Sequence, residues 1–165
     1  MKKSFFSLII FFVIIGVILT GGYVFLHNER FIPPIRYRSG LMIRNDNRGE
    51  GHFGTHRSGG RTHDGLDLLA PVGVPVFASR SGIVTVAKEQ KGMGKYVVIR
   101  HIDGMTSLYG HLSEIFVTKN QIVGRGKLIG LVGKTGNANY RDILPHLHFE
   151  IRKNRIPQDP LQYLQ

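Results

Sequence analysis

PHLHFE, Pro145 to Glu150, reads as a β-strand with two unequal faces. Successive side chains of an extended chain point to opposite sides, so His146, His148 and Glu150 share one face and Leu147, Phe149 and Ile151 the other. The apolar face is suited to a core. The other carries two of the chain's 8 histidines side by side, a pattern that packing does not require and a metal does.

The same texture extends back through the chain. Short β-branched runs broken by Gly, Pro and Asp-Gly give strand candidates at Val74–Ala78, Gly82–Ala87, Lys95–His101, Thr106–Leu112, Lys127–Gly133 and His146–Arg152. Asp103-Gly104 is a hairpin turn signal between the third and fourth. Closely spaced short strands with no long helix among them predict an all-β, mainly antiparallel domain over residues 60–165.

Ahead of that domain the composition changes twice. Phe5 to Leu26 is almost wholly apolar and free of charge, with Ser7 and Thr20 its only clearly polar side chains. A helix of about 20 such residues spans a bilayer; the nearest small-x-small cleavage candidate, Thr20-Gly21-Gly22, is poor, and apolar residues continue beyond it to Leu26. Residues 5–26 are therefore expected to form an uncleaved transmembrane signal anchor, with residues 1–4 cytoplasmic. Lys2 and Lys3 agree with that orientation, while Arg30, Arg36, Arg38 and Arg44 on the other flank pull against it. Residues 27–59 are rich in Arg, Asn and Gly, carry Pro33-Pro34 and read as a linker.

The formal net charge of +11 suits a polyanionic partner such as nucleic acid, acidic lipid or an anionic wall polymer. Aromatic and basic residues are not interleaved as on a base-stacking platform, so a nucleic-acid module is not expected. The chain has no cysteine, which excludes disulfides and thiolate ligands. Any metal must then be held by His, Asp or Glu.

His63 and Asp67, in HDGLD, form a second informative pair. Positions i and i+4 share a face in an extended chain, so an imidazole and a carboxylate converge there. With one histidine of the last strand they provide three protein ligands and leave a fourth position open, the requirement of a catalytic zinc. Such an ion lowers the pKa of its water to about 7 and polarises a carbonyl. The chain has no His-Glu-x-x-His, so histidine is the expected proton acceptor. His146, beside the metal on its strand face, and His111, approaching from another strand, both qualify. Glu150, one step further along that face, is in a position to orient a ligand imidazole, but it is read as an exposed strand residue and is not placed in the site. His27, His52, His56 and His101 are read as local polar residues, with His56 a remote competitor for the metal.

His63-x-x-x-Asp67, YGHL (Tyr109–Leu112) and PHLHFE occur in the order and context of the lysostaphin/LytM-type zinc endopeptidases of bacterial cell walls, the M23 metallopeptidase family. The resemblance runs from about Gly60 to Leu164 and takes in GLDLLAPVGVPVFASRSGIV, GKLIGLVGKTG and DPLQYL. It implies one Zn²⁺ held by His63, Asp67 and His148, with His111 and His146 as catalytic histidines. It also implies a two-sheet antiparallel fold and cleavage of peptide bonds in peptidoglycan stems or cross-bridges. A wall substrate sets the domain outside the cytoplasmic membrane, facing periplasm or wall.

The chain departs from that pattern at Asn137–Leu144, NANYRDIL, which is longer and bulkier than the usual Ser/Thr/Gly-rich connection and borders the groove before His146. Arg141 there is either a carboxylate-binding residue or a solvated loop charge. The glycine spacing of IVGRGKLIGLVGKTG also resembles biotinyl or lipoyl carrier hairpins, but Lys134 lacks their context. A different class of function is a non-catalytic wall-binding or amidase-activating module of the same fold.

Overall fold

The computed structural model describes the backbone of residues 2–57 and 59–164, and the side chains of 10–24, 28–57 and 59–164. The apolar N-terminal run contains no proline and forms one helix, α1 (Lys2–His27). Thr20 satisfies its hydroxyl within the helix by donating to Gly16 O at 2.8 Å. Phe11, Phe12, Ile18 and Leu19 are all more than half exposed. Among the described residues no helix is long and apolar enough to cross a membrane, so the spanning segment expected at 5–26 is not shown. Met1 and the side chains of 2–9 and 25–27, part of the expected cytoplasmic and spanning segments, lie outside the described residues.

Two small hairpins follow, β1 (Asn45–Asp46) with β2 (Gly49–Glu50) and β3 (His56–Arg57) with β4 (Arg61–Thr62). The domain proper contains β5 (Leu66–Leu69), β6 (Pro75–Phe77), β7 (Gly82–Gln90), β8 (Gly94–Arg100) and β9 (Thr106–Ile115). It continues with β10 (Ile122–Val123), β11 (Leu128–Val132), β12 (His146–Lys153) and β13 (Ile156–Gln158). These nine join in one antiparallel sheet with the path β10-β7-β8-β9-β11-β6, and β12 pairs β9, β5 and β13. The Asp103-Gly104 turn joins β8 to β9 as expected, with Gly104 at φ 81°.

In place of the two sheets expected, the nine strands form one sheet that forks, because β9 has more partners than a simple path allows. The long strand β9 holds β8 along one edge and divides the other. Thr106 to Gly110 pair with β12, whereas Leu112 to Ile115 pair with β11. The division falls at Gly110-His111, where two residues of β9 stand opposite Tyr96 alone, a β-bulge. His111 takes φ 62°, a left-handed conformation uncommon for a residue with a Cβ.

Leu147, Phe149 and Ile151 of β12 are fully buried beside Leu66, Leu68, Tyr109 and Ile99, the core face that the period-2 reading gives. The polar face of β12 is buried as well, because residues before β5 cover it. Within the stretch 27–59 expected as a linker, several of the described residues 28–57 pack against the sheet. Phe31 and Ile35 are buried, Tyr37 donates to Leu69 O at 3.0 Å, and Ile43 bridges Leu68. The Glu29 carboxylate accepts the Ser81 backbone N–H at 2.6 Å and its hydroxyl at 3.0 Å. The run lacks periodicity because its apolar residues are spent singly on separate pockets of the sheet.

Candidate metal centre

Four segments meet on the covered face of β12. The chain before β5 brings His63, β5 brings Asp67, the β9 bulge brings His111 and β12 brings His146 and His148. Antiparallel pairing sets His148 directly opposite Asp67 on one side and Gly110 on the other. All five side chains are buried.

Three atoms converge. His63 Nε2 lies 3.0 Å from Asp67 Oδ1 and 3.1 Å from His148 Nδ1, and His148 Nδ1 lies 2.9 Å from the same Oδ1. Each ligand is fixed from behind. His63 Nδ1 donates to His52 O at 2.8 Å, which leaves the Nε2 lone pair facing inward. His148 Nε2 lies 2.9 Å from Glu150 Oε1 and donates to that carboxylate, which turns Nδ1 inward. In the neutral tautomers that bind a metal, His63 Nε2, His148 Nδ1 and Asp67 Oδ1 would each direct a lone pair to one point. A cation at the centre relieves that arrangement. Ligands of a tetrahedral ion at 2.0–2.1 Å stand about 3.3 Å apart, close to the spacing found. His63, Asp67 and His148 thus form a group that fits a metal.

Charge around the group points the same way. Burial alone would raise the Asp67 pKa, but hydrogen bonds from His148 and His63 hold it well below the usual carboxylate range. Burial would lower that of His148, but Asp67 and Glu150 on its two nitrogens raise it to about 9. The pair of carboxylates therefore favours positive charge at the centre of the group.

The remaining two histidines stand beside it in a different state. His111 Nδ1 donates to Thr135 O at 2.9 Å and His146 Nδ1 to Leu144 O at 2.7 Å. Both therefore present Nε2 as an acceptor, and His146 Nε2 lies 3.8 Å from Asp67 Oδ1. Their ring centroids are 5.1 Å apart. Burial pushes the His111 pKa down to about 3, with His148 and His146 adding to the fall, and burial lowers that of His146. Both rings are neutral at neutral pH. The turn that supplies Thr135 O sits tightly on the β7–β8 connection: a Cβ on Gly136 would fall 2.2 Å from Gly94 N.

The sequence-based expectation is corrected at Glu150, which is fully buried and not an exposed strand residue. It takes the His148 ring on one oxygen and Arg152 Nε on the other. Its place on the His146/His148 face was the available signal. Arg44 and Arg57 were not anticipated either. Arg44 donates from Nε and Nη2 to Asp67 Oδ2 at 3.3 and 3.0 Å, and Arg57 Nη2 donates to that same oxygen at 3.1 Å. Nothing local to either arginine marks it. His52, His56 and Arg141 are exposed. Of these three, only His52 bears on the site, through its carbonyl. His101 is buried away from the centre, between Ser81 O and Ser107 Oγ.

A family model described as Peptidase family M23 matches residues 61–160. The chain belongs to the M23 peptidase family. Its similarity to DD-carboxypeptidase/endopeptidase Mpg of Neisseria meningitidis serogroup B is 43% identity over 101 residues, covering 61% of this chain and 22% of that protein. The chain thus spans only about a fifth of that relative's length. Among solved structures it is similar to a zinc containing peptidase from Vibrio cholerae, with TM-score 0.65 and 33% identity, covering 79% of this chain and 39% of that one. The catalytic domain of lysostaphin from Staphylococcus simulans gives TM-score 0.60 and 32% identity over 67% of this chain and 86% of that one. The mostly antiparallel lysostaphin-like fold is shared. In the M23 frame, the segment carrying Arg44, His52 and Arg57 lies ahead of the matched residues.

Proposed function

We propose that this M23 protein is a zinc-dependent endopeptidase acting on peptide bonds of bacterial peptidoglycan, with His63, Asp67 and His148 as ligands. The observation that carries the reading is the triangle of His63 Nε2, Asp67 Oδ1 and His148 Nδ1, which lie 2.9–3.1 Å from one another. The relative named as an endopeptidase and the solved zinc containing peptidase support the same chemistry. Zinc bound there would supply a Lewis acid and an activated water, with three protein ligands and one open position. The chain's own residues supply the proton traffic. His111 and His146 are neutral, and each holds its Nδ1 proton on a backbone carbonyl and turns Nε2 towards the site. One of these rings would take the proton of the attacking water at Nε2 and hand that same proton to the departing amine, while the other accepts a hydrogen bond at the site. Glu150 and the His52 carbonyl keep the ligand rings in the tautomers the ion needs.

We also propose that α1 anchors the protein in the cytoplasmic membrane, residues 5–26 spanning it and residues 60–165 facing periplasm or wall. Phe11, Phe12, Val13 and Ile14 step around the helix axis about 100° at a time and are all more than half exposed, so the helix is apolar around its circumference, and lipid is the surrounding that suits it. A C-terminal reporter active only in the cytoplasm would contradict this placement.

The experiment for the activity is metal analysis of the full chain in detergent, paired with mass analysis of fragments released from purified sacculi. About one zinc per chain and released stem-peptide fragments are expected. A chain that binds the wall, holds no zinc and releases nothing would favour the non-catalytic module instead.

A further inference from the structure

The carboxylate of Asp67 has two oxygens with different surroundings. Oδ1 faces the two histidines. Oδ2 faces away and receives two guanidinium groups, Arg44 at 3.0 Å and Arg57 at 3.1 Å. Both arginines come from the segment ahead of the M23 match. Their placement is built into the backbone: Arg44 N donates to Asp67 O, Asp67 N to Gly51 O and Gly51 N to Arg44 O, each at 2.7–2.8 Å. The contact leaves no room for a side chain, since a Cβ on Gly51 would lie 2.7 Å from that of Asp67. Arg57 is braced as well, with Nη1 donating to Glu50 O at 2.7 Å. Arg44 also pairs with Asp46, whose other oxygen accepts the Leu144 N–H at 2.9 Å, next to the carbonyl that holds His146.

We propose that Arg44 and Arg57 are positioning residues for the metal, occupying Asp67 Oδ2 so that the carboxylate reaches the ion through Oδ1 alone. The proposal rests on the zinc reading above. A carboxylate free to turn binds through one oxygen or both, and the second mode fills the position that a substrate or water needs. Two donors on Oδ2 prevent that turn. Charge-assisted hydrogen bonds of this kind are the stronger class, and guanidinium groups are shaped for carboxylate oxygens. It follows that the metal site of this chain begins near Arg44, before the segment that defines the family.

Coulomb repulsion gives the opposite expectation. Each guanidinium is a like charge close to the cation, so removing one should tighten zinc if charge alone governed affinity. Orientation of the ligand predicts weakening instead, and the sign separates the two. Arg57 is the position to vary first, since its side chain is 19% exposed whereas that of Arg44 is 5% exposed.

The full chain in detergent is stripped with a chelator, and zinc affinity is read by competition with a chromophoric chelator alongside the melting temperature of the stripped protein. Arg57→Gln is expected to bind zinc about 10–100-fold more weakly, the range for lost outer partners of metal ligands, with the stripped protein melting as the parent does. Arg57→Lys, which keeps one donor and the charge, should recover part of the loss, and it serves as the test if Arg57→Gln does not fold. Unchanged or tighter zinc in a folded variant overturns the proposal and leaves the zinc reading standing. A parent chain that takes up no zinc overturns both.

Discussion

The metal centre has two sides held in different ways. On the ligand side, His63, Asp67 and His148 each have an outer atom tied to a fixed partner: a carbonyl, two guanidinium groups and a buried carboxylate. On the proton side, His111 and His146 each rest on one backbone carbonyl and, among the described residues, carry no charged partner within hydrogen-bond reach. The contrast fits the work asked of each. A ligand should keep one protonation state and one orientation, whereas a ring that moves protons needs an unengaged nitrogen and a neutral resting form.

Breaking the ligand side should have the larger effect. Asp67→Ala removes the shared apex of the triangle, takes the carboxylate from Arg57 and leaves Arg44 with Asp46 alone. Zinc content and sacculus hydrolysis are both expected to fall to background, read by metal analysis and fragment release. Because a buried ion pair is broken as well, the variant should also lose about 3 kcal/mol of stability in chemical denaturation. A variant that kept stoichiometric zinc would show that the triangle is not the binding site.

The proton side should separate metal from turnover. His111→Ala is expected to retain zinc while turnover drops by about 10²–10⁴, the usual worth of general acid–base assistance. Full activity with zinc bound would remove His111 from the mechanism. Backbone shape adds a sharper comparison. His111 sits at φ 62° in the β9 bulge, where a left-handed residue with a Cβ is strained by about 1–2 kcal/mol. His111→Gly should therefore be more stable than His111→Ala by about 1 kcal/mol in urea denaturation, although both lack the imidazole.

Glu150 lies between the two sides in expected effect on metal binding. Glu150→Gln keeps an oxygen for the His148 N–H but removes the charge that also holds Arg152. Zinc affinity should weaken by about tenfold in chelator competition, with activity restored at saturating zinc. Failure of excess zinc to restore turnover would assign Glu150 a part beyond holding the ligand ring.

How much of this was legible in the sequence follows from how local each cause is. The strands β8, β11 and β12 were readable because alternation and β-branching are carried within a few residues. The spacing of His63 to Asp67 and of His146 to His148 was readable for the same reason. β5 was less so, since Leu66 to Asp67 and Leu68 are buried on both faces and show no alternation. Arg44 lies 23 residues from Asp67, and its value depends on a register set by Gly51. No local pattern encodes that. Residues 27–59 resembled a linker because their contacts are single and long-range, as with Glu29 on Ser81 and Phe31 beneath His101.

His101 supplies the remaining comparison, a buried histidine with no part in the centre. Ser81 O and Ser107 Oγ occupy its two nitrogens, and Ser107 continues to the buried Tyr109 hydroxyl. Burial lowers its pKa from 6.5 to about 4, so it is neutral in the folded protein over a range where the unfolded chain is protonated. Between those two values the unfolded state binds more protons, and stability must rise with pH. As pH falls from 6.5 to about 4, this group should cost up to about 3 kcal/mol, and below that no more. His101→Gln cannot titrate. Its stability, measured by urea denaturation in zinc-free buffer, should fall less steeply than the parent's across that window. The site histidines are common to both proteins and cancel in the difference, so parallel curves would mean that His101 is not held neutral by its burial.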